Sequence, residues 1–162
     1  MLDVYVDGDA CPVKDEVYRV AARHDLKVFV VSDGPLRAEA KGRVEFVRVR
    51  QGFNAADDWI ADRVGEGDIV VTSDIPLADR CLKKRARVVA PNGRGFTEDS
   101  IGEAMAKREL MDQLRQMGAI TGGPAPFAPA DRSRFLGRLE DTIQAIRRLR
   151  DQQKGAPPKR CP

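Results

Sequence analysis

Cysteine and histidine are scarce in this sequence, which has three of the former and one of the latter among 162 residues. The cysteines are widely spaced and odd in number, so they form neither a disulfide framework nor the CxxC pairs of a zinc site. No run approaches the roughly 20 apolar residues that a membrane-spanning helix requires. The first residues also lack the basic and apolar regions of a secretory signal. We therefore expect a protein of the reducing cytoplasm with no membrane partner.

The net charge of +3 is unevenly distributed along the chain. Residues 147–162 hold six basic side chains and one acidic one, whereas residues 1–146 hold 22 basic and 24 acidic ones. The excess of positive charge thus belongs to the C-terminal end, and bulk charge alone does not require a nucleic-acid partner. We expect one domain over residues 1–150, followed by a basic, disordered tail over residues 151–162, where the composition turns polar.

Short apolar runs alternate with helical patterns over the first ninety residues. Alternation of this kind predicts an α/β fold with helices on both faces of a mostly parallel, five-stranded sheet. From Thr97 onward the pattern is helical only, and Asp131 is predicted to be the N-cap of the last helix. The predicted strands lie at 2–7, 27–32, 44–49, 68–73 and 86–90, and helices are predicted at about 55–64 and 76–84.

Three aspartates are predicted to gather at one edge of this sheet. Asp7 closes the first strand and Asp74 follows the fourth, and the functional crevice of such sheets lies beyond the carboxyl ends of the strands. Asp57 lies in the helix before the fourth strand. At about 100° per residue, Asp57 falls on the flank of the inward face, whereas Asp58 points to water.

Carboxylates that lie together repel one another unless a cation joins them. An all-oxygen set suits Mg²⁺ or Mn²⁺, which activate water and neutralise charge on a phosphoryl group. We therefore predict that Asp7, Asp57 and Asp74 bind metal and are catalytic. The alternative is that Asp57 and Asp74 only cap helices, which is a common use of this residue. The residues predicted to assist from a second layer are Asp9, Asp79 and Ser73.

Three further residues are predicted to contact a phosphate or the substrate. Arg94 lies in the turn after the fifth strand, and Thr121 lies in a TGG sequence whose backbone N–H groups suit an anion. Lys83 belongs to a basic cluster over residues 83–87 which, with Arg48 and Arg50, could guide a nucleic-acid backbone. The loops that contain Arg94 and Thr121 lack the P-loop pattern, and the alternative is that both are ordinary turns. The alternative for the basic cluster is a solvated surface.

Two other motifs suggest different chemistry. Asp7-Gly8-Asp9 is similar to the DxD of haloacid dehalogenase-like phosphatases, which form an aspartyl-phosphate. Those enzymes need a later acidic pair, but the pair at 57–58 precedes the VVTSD motif. Cys11 stands at a helix start, yet the one histidine, His24, lies about 20 Å further along that helix. We therefore predict a buried or half-buried thiol at Cys11 and a packing or helix-end role for His24.

Four motifs carry a resemblance to a known family. VDGDACP, GFNAADDWI, VVTSDIPLA and ITGGPAPF resemble the UPF0178 family, also called YaiI/YqxD-like or DUF188, and the likeness covers residues 1 to about 150. The family is grouped with PIN-like domains. In PIN-like nucleases an aspartate ends the first strand, an acid lies on a mid-domain helix, and another aspartate follows a later strand. Asp7, Asp57 and Asp74 match those places, and Asp79 matches a fourth.

The resemblance implies a PIN-like fold and a divalent-metal-dependent phosphodiesterase or ribonuclease. It departs from PIN nucleases in one respect, because Asp9 and Cys11 of VDGDACP are not typical of them. Since function depends on the site rather than on the fold, a non-catalytic module that binds nucleic acid or protein is the alternative. The oligomeric state is left open.

Overall fold

One six-stranded sheet organises the chain, whose computed structural model describes residues 2–9, 11–34, 43–50, 52, 54–120 and 127–155. The strands are β1 (Asp3–Asp7), β2 (Lys27–Ser32), β3 (Val44–Arg48), β4 (Ile69–Val71), β5 (Arg87–Val89) and β6 (Gly95–Phe96). The helices are α1 (Lys14–Arg23), α2 (Ala55–Arg63), α3 (Ile75–Lys83), α4 (Glu98–Gln116) and α5 (Pro129–Gly155). β1 to β5 are parallel and β6 pairs antiparallel with β5, so the predicted α/β class is confirmed.

The central strand β4 is apolar throughout because both of its faces are covered. Along β4, Ile69 and Val71 pack in the core that α1 and α5 share with the sheet, whereas Val70 packs against α2 and α3 on the other face. A strand covered in this way reads as a continuous apolar run. The edge strand β3 differs, since Glu45 and Arg48 are exposed. The result is three layers, with helices on both sides of the sheet.

The strand order is β3-β2-β1-β4-β5-β6. The chain builds outward from β1 to β3 and then returns to place β4 on the other side of β1. The switch point therefore lies between β1 and β4, which are the two strands that end near Asp7 and Asp74. In open sheets of this type, ligands bind in the crevice at the carboxyl ends of such strands.

The structure differs from the sequence prediction at β6 and at α5. The sequence predicts five strands and none at β6, because a two-residue strand is too short to show a periodic pattern. The predicted N-cap role of Asp131 is wrong, since α5 begins at Pro129 and proline suits a first helical position. Asp131 lies in the first turn and accepts the backbone N–H of Ala128 at 2.9 Å. α5 continues to Gly155, into the range predicted as tail, and residues 156–162 lie outside the described residues.

None of the helices in the described ranges is long and apolar enough to cross a membrane.

Gly93→Ala is expected to destabilise the protein. Gly93 has φ +86°, and a Cβ atom there would lie 2.6 Å from the carbonyl carbon of Arg134 in α5. Both the backbone conformation and the contact with α5 disfavour a side chain at this position. We therefore expect the free energy of unfolding, measured in urea, to fall by more than about 1 kcal/mol. Gly102→Ala is the matched control, since an added Cβ there meets nothing within 4 Å in α4. Gly102→Ala should stabilise the protein by about 0.5–1 kcal/mol. Equal effects of the two changes would contradict the close approach of Gly93 to Arg134.

Candidate active site

A cavity of about 340 Å³ opens at the carboxyl ends of β1 and β4. Its described lining contains five aspartates from four segments of the chain. Two of them come from the end of β1, one follows β2, one belongs to α2 and one follows β4. The described residues that line the cavity are Asp7, Asp9, Asp33, Gly52, Asn54, Ala55, Ala56, Asp57, Ser73 and Asp74.

Thr72 connects the two strand ends at the switch point. Its buried hydroxyl donates to Oδ2 of Asp7 at 3.1 Å and accepts the backbone N–H of Asp74 at 3.0 Å. Burial raises the pKa of Asp7, the hydrogen bond from Thr72 lowers it, and the charges of Asp9 and Asp74 raise it further. The effect of burial on the pKa is larger than that of the hydrogen bond. Ionised Asp7 is therefore energetically unfavourable unless a cation is near.

Asp74 caps a helix and also lines the cavity. It is the N-cap of α3, where its Oδ1 accepts the backbone N–H of Leu77 at 3.0 Å. It also lines the cavity, half-buried beside Ser73, which is exposed. Since the cap uses one oxygen, the other oxygen has no hydrogen-bond partner among the described residues. The carboxylate is thus fixed by the helix start while one of its oxygens remains available.

The helical phase of α2 separates Asp57 from Asp58 as predicted. Asp57 is half-buried and lines the cavity, whereas Asp58 is exposed and pairs with Arg80 at 2.8 Å. Desolvation is the largest influence on Asp57, and the charges of Asp74 and Asp7 add to it. Together they raise the pKa of Asp57 to about 6. The three predicted acids are therefore close enough to act on one another.

Asp33 lines the cavity but was missed in the sequence. It directly follows β2 in VVSD, as Asp74 follows β4 in VVTSD, so the same strand-end rule would have found it. Asp9 is also in the lining and accepts a hydrogen bond from the Ser32 hydroxyl. Gly8 allows the chain beside Asp9 to lie close to β2, because a Cβ on Gly8 would lie 2.9 Å from the carbonyl oxygen of Val31.

Three predicted residues that the structure describes are not brought into this cavity. Asp79 and Lys83 pair with each other at 3.0 Å on α3. Lys83 lies nine residues beyond the Asp74 cap, about 13 Å along the helix axis. Arg94 is exposed in the β5–β6 turn, with its guanidinium 5.7 Å from the centre of the Phe96 ring. Thr121 lies outside the described residues.

The described residues contain no group of three or more His, Cys, Asp or Glu side chains arranged to hold a metal ion. The donor chemistry nevertheless fits a hard cation, since the lining offers carboxylate oxygens whose mutual repulsion a cation would relieve. Mg²⁺ keeps several waters and is commonly held by only one or two carboxylates. The arrangement therefore suits a hydrated ion near Asp7 and Asp74 better than a cage of three direct protein ligands.

Cys11 and His24 do not supply a nucleophile and its base. Burial is the main cause that raises the pKa of the Cys11 thiol to about 11, so the thiol stays protonated at neutral pH. The Nε2 atom of His24 lies 2.8 Å from Glu140, and its Nδ1 atom lies 2.9 Å from Arg147. Because a guanidinium only donates, Nδ1 accepts and Nε2 carries the proton. His24 thus joins α1 to α5, consistent with the predicted packing role.

The sheet and its aspartate-lined cavity define an α/β protein with a candidate acidic site at the topological switch point. The model of the uncharacterized YaiI/YqxD family, DUF188, matches residues 5–145, and the chain belongs to that family.

Three relatives illustrate the similarity. A UPF0178 protein of Rhodospirillum centenum is 58% identical over 154 residues, covering 93% of this chain and all of the relative. A UPF0178 protein of Rhodopseudomonas palustris is 56% identical over 145 residues, covering 90% of this chain and 94% of the relative. A UPF0178 protein of Bradyrhizobium diazoefficiens is 55% identical over 147 residues, covering 91% of this chain and 88% of the relative. No solved structure matches the chain.

Proposed function

We propose that the protein is a divalent-metal-dependent phosphodiesterase that cleaves RNA. The observation that carries the proposal is the convergence of five aspartates on one cavity between β1 and β4. Structural needs alone do not explain such a group, because each added carboxylate raises the energy of the others. The choice of RNA rests on the resemblance to PIN-like nucleases, whose acids occupy corresponding places.

Asp7 and Asp74 would hold the ion, and Asp57 would bind the same ion or its waters. When bound, Mg²⁺ or Mn²⁺ supplies an activated water and neutralises charge on the phosphoryl group. The chain itself contributes positioning: Thr72 orients Asp7, and the start of α3 fixes Asp74. Asp9 and Ser73, which are exposed in the lining, would bind waters.

Two arginines beside the acidic cavity support a polyanionic substrate. A second cavity of about 400 Å³ is lined by Asp33, Arg48, Val49 and Arg50, so it shares Asp33 with the first. Arg48 and Arg50 are exposed on either side of a half-buried Val49, as expected of alternate positions on an extended chain. Such positions lie roughly 6.5 Å apart on one face. Arginine side chains that start from positions at this spacing can reach successive phosphates of a stretched strand.

Cleavage of a labelled single-stranded RNA in Mn²⁺ and in EDTA tests the proposal. We expect cleavage only with the metal, and a rate at least about 100-fold lower for Asp7→Asn, since loss of even an outer-shell partner costs 10–100-fold. Asp58→Asn is the matched control and should retain full activity, because Asp58 pairs with Arg80 outside the cavity. Cleavage that persists in EDTA or in Asp7→Asn would overturn the proposal.

The Arg48→Gln/Arg50→Gln double variant separates substrate binding from chemistry in the same assay. The two arginines lie beside the acids rather than among them, so we expect KM to rise at least about tenfold while kcat changes little. A fall in kcat at unchanged KM would show that the pair does not bind substrate.

The C-terminal charge favours a second candidate, a non-catalytic module that binds nucleic acid. Residues 147–162 contain six basic side chains and one acidic one. Deleting residues 156–162 leaves α5 as described and removes two of the basic side chains. Loss of RNA binding in a protein that never cleaves RNA would favour the module, whereas retained metal-dependent cleavage would favour the enzyme.

A further inference from the structure

A separate cavity of about 650 Å³ lies at the opposite edge of the sheet from the aspartates. Its walls include Glu66 and Gly67 before β4, residues 85–87 at the start of β5, and the C-terminal part of α5. The volume is within the range of about 300–1,000 Å³ that small-molecule sites occupy. No residue of the acidic cavity contributes to it.

Three arginines give the cavity a net positive lining. Arg85, Arg87 and Arg150 face two carboxylates, Glu66 and Glu98, among the described residues that line it. The closest approach of Arg85 to Glu66 is 3.9 Å, and both side chains are more than 70% exposed, so this pair is weak. Arg87 has no ion-pair or hydrogen-bond partner for its guanidinium in the described part of the chain. The cavity therefore offers cationic groups that internal pairing does not satisfy.

The backbone around the cavity accommodates these arginines. Gly67 has φ +79°, and a Cβ atom there would lie 2.9 Å from Nη2 of Arg150. The absence of a side chain at Gly67 thus leaves room for the guanidinium against the cavity wall. Arg85 has φ +63° in the turn that ends α3, a position where glycine is usual. Arg85 thus carries a long cationic side chain at a left-handed backbone position, where glycine is usually found.

Another part of the wall is apolar. Leu82, Phe96 and Ile146 are buried, whereas Leu149 is 47% exposed although it is a large apolar side chain. Ligand sites typically combine apolar walls with a few polar groups that orient the ligand. The apolar wall suits a flat body, and the arginines suit one strongly anionic group. A phosphate monoester meets both needs better than a carboxylate, since its three terminal oxygens can accept from several guanidinium groups.

We propose that this cavity binds a small phosphate monoester with a flat apolar body, of the size of a nucleoside monophosphate. The proposal is independent of the function assigned to the acidic cavity. It concerns separate residues at the other edge of the sheet.

Isothermal titration of adenosine 5′-monophosphate into the full chain in EDTA tests the proposal. Without metal, the acidic cavity repels phosphate and does not compete. We expect one molecule bound per chain, and at least about tenfold weaker binding by Arg87→Gln, because a charge-assisted hydrogen bond is lost. Arg148→Gln is the matched control, since Arg148 is exposed on α5 and does not line the cavity. Its affinity should equal that of the native protein.

Two further ligands and one variant test the assigned chemistry. Adenosine alone and inorganic phosphate alone should each bind at least about tenfold more weakly than the monophosphate, since each lacks one half of the interaction. Asp74→Asn should bind the monophosphate normally. The proposal is overturned if the native protein does not bind the monophosphate, if inorganic phosphate binds equally well, or if Arg148→Gln weakens binding as much as Arg87→Gln. Weakening by Asp74→Asn would place the ligand in the acidic cavity and would also overturn it.

Discussion

Asp74→Asn is expected to remove most of the rise in melting temperature that Mn²⁺ or Mg²⁺ produces in the native protein. An ion at 100 times its Kd stabilises the folded state by about 2.7 kcal/mol, which corresponds to roughly 5–10 °C for a chain of this size. Loss of an anionic ligand that raises the Kd 100-fold would leave only about 0.4 kcal/mol of that stabilisation. Without metal the change should matter little, because asparagine also caps helices and can accept the N–H of Leu77.

Melting curves over a Mn²⁺ titration measure this effect, with the EDTA value of each variant as its own baseline. Asp58→Asn is again the matched control, because it removes one negative charge from α2, next to Asp57, without altering the cavity lining. It should keep the full metal-dependent shift. A native protein with no metal-dependent shift, or an equal shift in Asp74→Asn, would contradict the assignment of a metal site to these acids.

The acids were predictable where local rules decide their position. Asp7 and Asp74 follow buried strands, and parallel strands end at a common edge, so strand prediction was enough to bring them together. The phase of a single helix separated Asp57 from Asp58. Asp33 obeys the same strand-end rule, but its Asp-Gly-Pro context is typical of a turn and concealed it.

The remaining site residues depend on contacts between distant segments. Arg48 approaches Asp33 because β3 pairs with β2, and the sequence contains no local signal for that strand order. Lys83 is predicted to contact the substrate because it belongs to the basic cluster over residues 83–87, yet the length of α3 places it about 13 Å along the helix axis from Asp74. The contact of Arg150 with Gly67 joins positions 83 residues apart, so no periodic pattern indicates it.

Asp57→Asn is expected to stabilise the metal-free protein at pH 8 and to have little effect at pH 4. Desolvation, with the charges of Asp74 and Asp7, raises the pKa of Asp57 from 3.8 to about 6 in the folded state. Between these values the folded state binds more protons than the unfolded state, so stability falls as pH rises from about 4 to 6. The penalty is absent below this window and complete above it. Asparagine removes the charge and therefore the penalty.

Urea unfolding in EDTA at pH 4, 6 and 8 measures the difference between Asp57→Asn and the native protein. The raised pKa values of Asp7 and Asp68 also make the native protein less stable as pH rises, so the difference between the two proteins isolates Asp57. A difference that is equal at all three pH values would show a change in packing rather than in charge. Saturating Mn²⁺ at pH 8 should reverse the sign, because the ion then requires the charge that the empty cavity disfavours. An acidic cluster without a cation-binding role would show the pH dependence in EDTA but not this reversal.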